Sequence, residues 1–118
     1  MPEALKRKVE TEANALIESV LRPQYVQPPP ENPQFNYLVD LYGKWRGSYF
    51  YFCSQYACPS PNAISPFFDD KFARLEYIGG DRFNLAAMRH NGEWIEIFPD
   101  LSLDECLAAV RDDPWFEP

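Results

Sequence analysis

The sequence is poor in the residues from which most active sites are built. One histidine (His90), three cysteines and two methionines are all that its 118 residues offer to a soft metal or a nucleophilic dyad. Its five glycines form no phosphate-cradling loop, and no elbow surrounds a serine. No apolar run approaches the ~20 residues that a membrane-spanning helix needs. The N-terminal stretch MPEALKRKVETEANALI lacks the unbroken apolar core of a secretory signal. Basic residues are outnumbered, 11 against 18 acidic ones, for a net charge of -7. That balance opposes the neutralisation of nucleic-acid phosphates or an anionic lipid surface, and Lys6-Arg7-Lys8 is the only basic run. Three cysteines, an odd number, point to reduced thiols, and the expected setting is a soluble cytoplasmic protein.

What is abundant is apolar and aromatic. A hydrophobic content of 46% and an aromatic content of 16% exclude disorder as the overall state. The length suits one domain, 1–118, with a core that needs no staples.

Leu5, Val9, Ala13, Leu16, Ile17, Val20 and Leu21 form one stripe on an amphipathic helix expected over residues 1–22, ended by Pro23. The narrow stripe suits packing on the domain's own sheet or a homodimer through this helix. Residues 23–34 carry too many prolines for helix or central strand and read as an extended connector. Residues 35–98 alternate in several runs, the signature of a sheet.

With Arg46-Gly47 as the first turn, Phe35, Tyr37, Val39, Leu41, Trp45, Phe50 and Phe52 share a core face. Leu38, Asp40, Tyr42, Lys44, Tyr49, Tyr51, Cys53 and Gln55 take the other. A proline-rich loop follows at residues 57–68. Gly80-Asp81 and Asn91-Gly92 then punctuate two further turns, the latter read as a type I′ pair with both residues at positive φ. Taken separately, these two turns agree on one apolar face of Ala73, Leu75, Tyr77, Ala86, Met88, Ile95 and Ile97. Ser102-x-x-Glu105 is a capping box opening a helix over 102–113, and Trp115-Phe116 reads as a C-terminal anchor.

Arg74-x-x-Tyr77, Phe83-x-Leu85, Arg89-x-x-Gly92-x-Trp94, Ser102-Leu103-x-Glu105 and Asp113-Pro114-x-Phe116 together resemble a small family of uncharacterised bacterial domains. The resemblance lies in the C-terminal half. It implies no activity and no catalytic residue.

Three chemistries can be weighed directly. Cys53, Cys58, His90 and Cys106 have the atoms of a Cys3His zinc site, but they lack the close ligand pairs on turns that zinc prefers, so no metal or cofactor is expected. Any thiol or hydroxyl dyad must use His90, a turn residue. Glu76 and Glu96 fall on the sheet face away from the apolar set, with Arg74, Ala87 and Glu96 in one cross-strand row and Arg89 opposite Trp94 for stacking.

The expected architecture is therefore α+β: an N-terminal helix, a five-stranded, mainly antiparallel meander sheet and a C-terminal helix in two layers. The function this suggests is non-enzymatic interaction with a protein partner through a sheet face bearing Tyr42, Tyr49, Tyr51, Arg74, Arg89, Trp94 and Glu96. The alternative is a small-ligand or hydrolytic pocket between the 57–68 loop and the sheet, using Glu76, Glu96 or His90. The face is a contact surface only if the N-terminal helix leaves it uncovered, and both placements of that helix are open.

Overall fold

The stripe of the first helix is buried as its spacing demands. In the computed structural model, which describes residues 1–118, Glu3–Leu16 is α-helical (α1), Ile17–Leu21 is a π turn and Arg22–Tyr25 resumes α geometry (α2). Val9, Ala13, Ile17 and Leu21, four residues apart, are all buried. Pro23 does not end the helix, contrary to expectation. The Arg22 amide bonds back to the Ile17 carbonyl in the wide turn, so Pro23 falls in the first turn of α2, where no amide hydrogen is needed. The chain becomes extended only at Val26.

Five antiparallel strands follow in meander order: β1 (Tyr37–Arg46), β2 (Tyr49–Ala57), β3 (Phe67–Gly79), β4 (Arg82–Met88) and β5 (Trp94–Ser102). The β1–β2 turn is Gly47-Ser48, with Gly47 at φ 60, and Arg46 pairs with Tyr49. This moves the expected pairing by two residues, which leaves each side chain on its expected face. The two ends of β1 behave differently. Phe35 precedes the strand and is 81% exposed, so it is not a core residue. An irregularity between Leu38 and Asp40 turns the strand over, and Leu38 rather than Tyr37 or Val39 packs on the core. The loop after β2 is shorter than expected, because β2 runs to Ala57 and β3 begins at Phe67.

β4 faces the opposite way from the sequence reading. The turn after it is a three-residue loop, His90-Asn91-Gly92. The Gly92 amide bonds to the Arg89 carbonyl, the Arg89 amide bonds to the Glu93 carbonyl, and only Gly92 has positive φ. That is a type I turn closed by a left-handed glycine bulge, not a type I′ pair. Met88 therefore lies opposite Trp94, and Ala87 opposite Ile95. At the other end, Gly80-Asp81 is the turn, but a bulge between Tyr77 and Gly79 places Leu75 opposite Leu85. Both slips are of one residue, and both invert β4 alone. Phe83, Leu85 and Ala87 point into the core, whereas Ala86 and Met88 lie in the rows of Arg74 and Trp94. A further shift in β5 turns Phe98 inward, 6.5 Å from Phe116. Gly92→Ala is accordingly expected to cost about 1–2 kcal/mol, and Asn91→Ala about 0.5 kcal/mol or less. Urea unfolding of the two variants checks this, and equal losses would restore the type I′ reading.

The C-terminal helix α3 (Leu103–Asp112) opens on the expected box: the Glu105 amide donates to Ser102 Oγ, and the Ser102 amide donates to Glu105 Oε1. The first of these is a neutral cap. The second holds the Glu105 carboxyl below its ordinary pKa, chiefly through that backbone donor. After α3, Phe116 anchors the tail in the core, but Trp115 is 55% exposed and does not. One apolar cluster joins Val9, Ile17 and Leu21 to Leu41, Phe50, Phe52, Leu75 and Leu85 and to Leu103, Cys106 and Val110. Both helix layers thus lie on the same side of the sheet. The fold is a two-layer α+β domain, and the other sheet face carries no helix.

Candidate functional site

The uncovered face is built from alternate residues of five strands. One cross-strand row runs Lys44, Tyr51, Arg74, Ala86, Glu96, and the next runs Arg46, Tyr49, Glu76, Asn84. A small residue does sit between Arg74 and Glu96, as expected, but it is Ala86 rather than Ala87, because β4 is inverted.

Arg74 is the centre. Its guanidinium carbon lies 4.6 Å from the Tyr49 ring centroid and 4.7 Å from that of Trp94, so the planar cation is held between two aromatic faces. Tyr51 adjoins both rings, 6.1 Å from Tyr49 and 5.8 Å from Trp94, and Lys71 lies over it at 5.5 Å. Arg89 does not stack on Trp94. Met88 occupies the position opposite that ring, and Arg89 lies beyond the strand, opposite Glu93 at the hairpin end.

Two carboxylates on this face are already engaged. Glu76 accepts from the Tyr49 hydroxyl at 3.1 Å and from Asn84 Nδ2 at 3.2 Å. Asp69 accepts from the Tyr42 hydroxyl at 2.7 Å. Each phenol is pushed above its ordinary pKa, first by the carboxylate that it serves as donor. Asn84 also accepts from the Asp100 amide, which holds Asp100 at φ 55, where Arg82 pairs with its carboxylate at 2.9 Å. Glu96 is exposed and belongs to no such network.

Three of the expected site residues, Tyr49, Tyr51 and Trp94, converge with Arg74. Tyr42 and Glu96 flank them, and Arg89 stands apart. Lys44 shares the face, as its alternation places it. Arg46 and Lys71 join it unexpectedly, because the turn lies at Gly47-Ser48 rather than Arg46-Gly47 and an irregularity between Lys71 and Ala73 turns β3 over.

The metal-type atoms are dispersed. Cys106 is in the core beneath α3, its thiol pushed up to about 12 by burial. Cys53 is buried on the Tyr42 side, opposite Lys71, and burial raises its thiol too. No three His, Cys, Asp or Glu side chains gather as ligands. The cavity reaching His90 has a volume of about 260 Å³ and is lined by Tyr56, Lys71, Arg89 and Glu117 among others, without Glu76 or Glu96. No cavity is bordered by the loop between β2 and β3. No helix is long and apolar enough to cross a membrane.

Fold and face define a two-layer α+β domain with one sheet surface left open. The chain belongs to the family described as a domain of unknown function (DUF3024), whose model matches residues 1–118 and so extends over the first half as well. No curated protein and no solved structure matches the chain.

Proposed function

We propose that the protein is a small, non-enzymatic interaction protein of the cytoplasm that engages a protein partner through its open sheet face. The observation that carries this reading is the placement of every helix on one side of the sheet. The other side is left with Tyr49, Tyr51, Arg74 and Trp94 in mutual contact and reachable. Tyr, Trp and Arg are the residues that dominate binding energy at protein interfaces, because they bury much area for little lost rotamer freedom. None of the protein's cavities is lined by Tyr49, Tyr51, Arg74 or Trp94. The N-terminal helix contributes less to assembly, since its stripe of Val9, Ala13, Ile17 and Leu21 is already spent on the protein's own core.

Affinity capture from cell extract tests the proposal, comparing wild type with Trp94→Ala plus Tyr51→Ala. With both proteins folded by thermal melt, the variant is expected to lose specifically captured partners. Identical recovery sinks the reading.

A further inference from the structure

The open face collects cations that form no ion pair within the protein. Lys44 and Arg46 come from β1, Lys71 and Arg74 from β3, and pairing places them in adjacent rows. The ion pairs of the chain are Lys8–Glu12, Arg22–Asp40, Arg82–Asp100 and Arg111–Asp112, and none involves these four. Glu76 and Asp69 accept from the Tyr49 and Tyr42 hydroxyls, and Glu96, in the row of Arg74, is exposed and unpaired. In a chain of net charge -7, this groups four cations on one face, beside the three carboxylates of Asp69, Glu76 and Glu96.

Arg74 makes the field specific. It forms no ion pair and donates no hydrogen bond within the chain, and its Nε is a buried nitrogen without a partner. Leaving a buried donor unpaired costs ~1–3 kcal/mol. The sandwich between Tyr49 and Trp94 fixes the guanidinium plane in advance, which removes much of the entropy loss that binding otherwise carries. A planar fork held in this way matches a carboxylate.

We infer that this face is an anion-receiving site for a carboxylate-bearing segment of a partner protein, with the Arg74 guanidinium taking the carboxylate and Lys44 and Lys71 flanking it. The inference rests on the proposed contact surface and specifies the chemistry of what it contacts. A nucleic acid fits less well. The ring faces turned toward Arg74 and Lys71 are occupied by those cations and so are closed to stacked bases. A long polyanion would also run off the patch onto acidic surface, whereas a short acidic segment stays within the ~8 Å screening length of the cations.

The test is a titration of ¹⁵N-labelled protein with blocked hexaglutamate peptide at about 0.15 M salt. The Arg74 Nε–H and Trp94 indole resonances are expected to shift saturably. Arg74→Met should weaken binding by about tenfold or more, the span of a charge-assisted hydrogen bond, and Arg74→Lys by less. Absence of a saturable shift, equal binding by Arg74→Met, or shifts centred on Lys6-Arg7-Lys8 overturns the inference. So does tighter binding of single-stranded decathymidylate at the same resonances, which would make the face a nucleic-acid platform. The two readings fail separately. Partner capture that depends on Trp94 and Tyr51 while the peptide does not bind removes the carboxylate and keeps the contact surface. Capture indifferent to those rings removes the surface itself.

Discussion

Leu85→Ala is expected to destabilise the protein by ~2–5 kcal/mol, and Met88→Ala by less than about 1 kcal/mol. Leu85 is fully buried in the cluster that joins both helices to the sheet. Truncating it removes three carbons from a packed interior and leaves a cavity that strands on either side cannot collapse to fill. Met88 lies on the other face, half-exposed at the end of β4 opposite Trp94. The contrast is large relative to a total stability of the order of 5–15 kcal/mol for such a domain. Urea unfolding monitored by circular dichroism reads it as a shift in midpoint at constant slope. A Met88 loss equal to or larger than that at Leu85 would mean that Met88, and not Leu85, faces the core.

That reversal shows what alternation can and cannot reveal. β4 reads Arg-Phe-Asn-Leu-Ala-Ala-Met, and its apolar residues occur at both parities, so the strand itself does not say which set is inside. Orientation then depends on the turns. The Gly80-Asp81 turn was legible, but the bulge at Ile78 beside it was not, because Ile is an ordinary strand residue and nothing marks it as unpaired. Asn91-Gly92 was legible as a turn, but the dipeptide serves a two-residue I′ loop and a three-residue bulged loop alike. The agreement between the two turns was not an independent check. Each slip moves β4 by one residue against a neighbour, and two such slips leave β3 and β5 in correct relation to each other. This is why Ala73, Leu75, Ile95 and Ile97 were placed inward correctly while Ala86 and Met88 were not.

The elements themselves, their meander order and both helices were readable, since periodicity and the capping box are local signals. The π turn that carries the helix past Pro23 was not, because a wide turn is a response to the proline rather than a pattern in composition. At the candidate site, Tyr49, Tyr51, Arg74 and Trp94 could be placed on one face because the β1–β2 error was of two residues, and the irregularities of β3 and β5 lie outside Arg74 and Trp94. The partner of the Trp94 ring could not. Arg74 reaches it across β4 over the small Ala86, a diagonal contact that becomes visible only when the intervening strand is in register. Two of the four cations on the face, Arg46 and Lys71, were hidden for a similar reason. Lys44, Arg46, Lys71 and Arg74 are separated in the chain and meet only through strand pairing.

Gly43→Ala offers the sharpest test of core packing, with an expected loss of ~1–3 kcal/mol for the addition of one methyl group. Gly43 lies within β1 opposite Phe52, where a glycine weakens the strand by ~0.5–1 kcal/mol relative to alanine, so relief of that penalty offsets part of the loss. The reason for the glycine is the Phe50 ring. A Cβ at position 43 would stand 2.5 Å from Phe50 Cζ and 2.9 Å from Cε2. The ring cannot retreat, because Trp45 meets it edge-on at 5.4 Å and Phe52 at 5.5 Å on the same buried face. Phe50→Leu removes the far end of the ring, and with it the atoms that exclude the methyl group. In that background Gly43→Ala should cost little or become stabilising, because only the backbone gain remains. The coupling between the two positions is then ~0.5–3 kcal/mol in a double-mutant cycle. Additive losses would mean that the ring and the glycine do not determine each other. Strong coupling would show that β1 gives up a side chain at position 43 so that Phe50 can reach the centre of the core, between the first helix and the sheet.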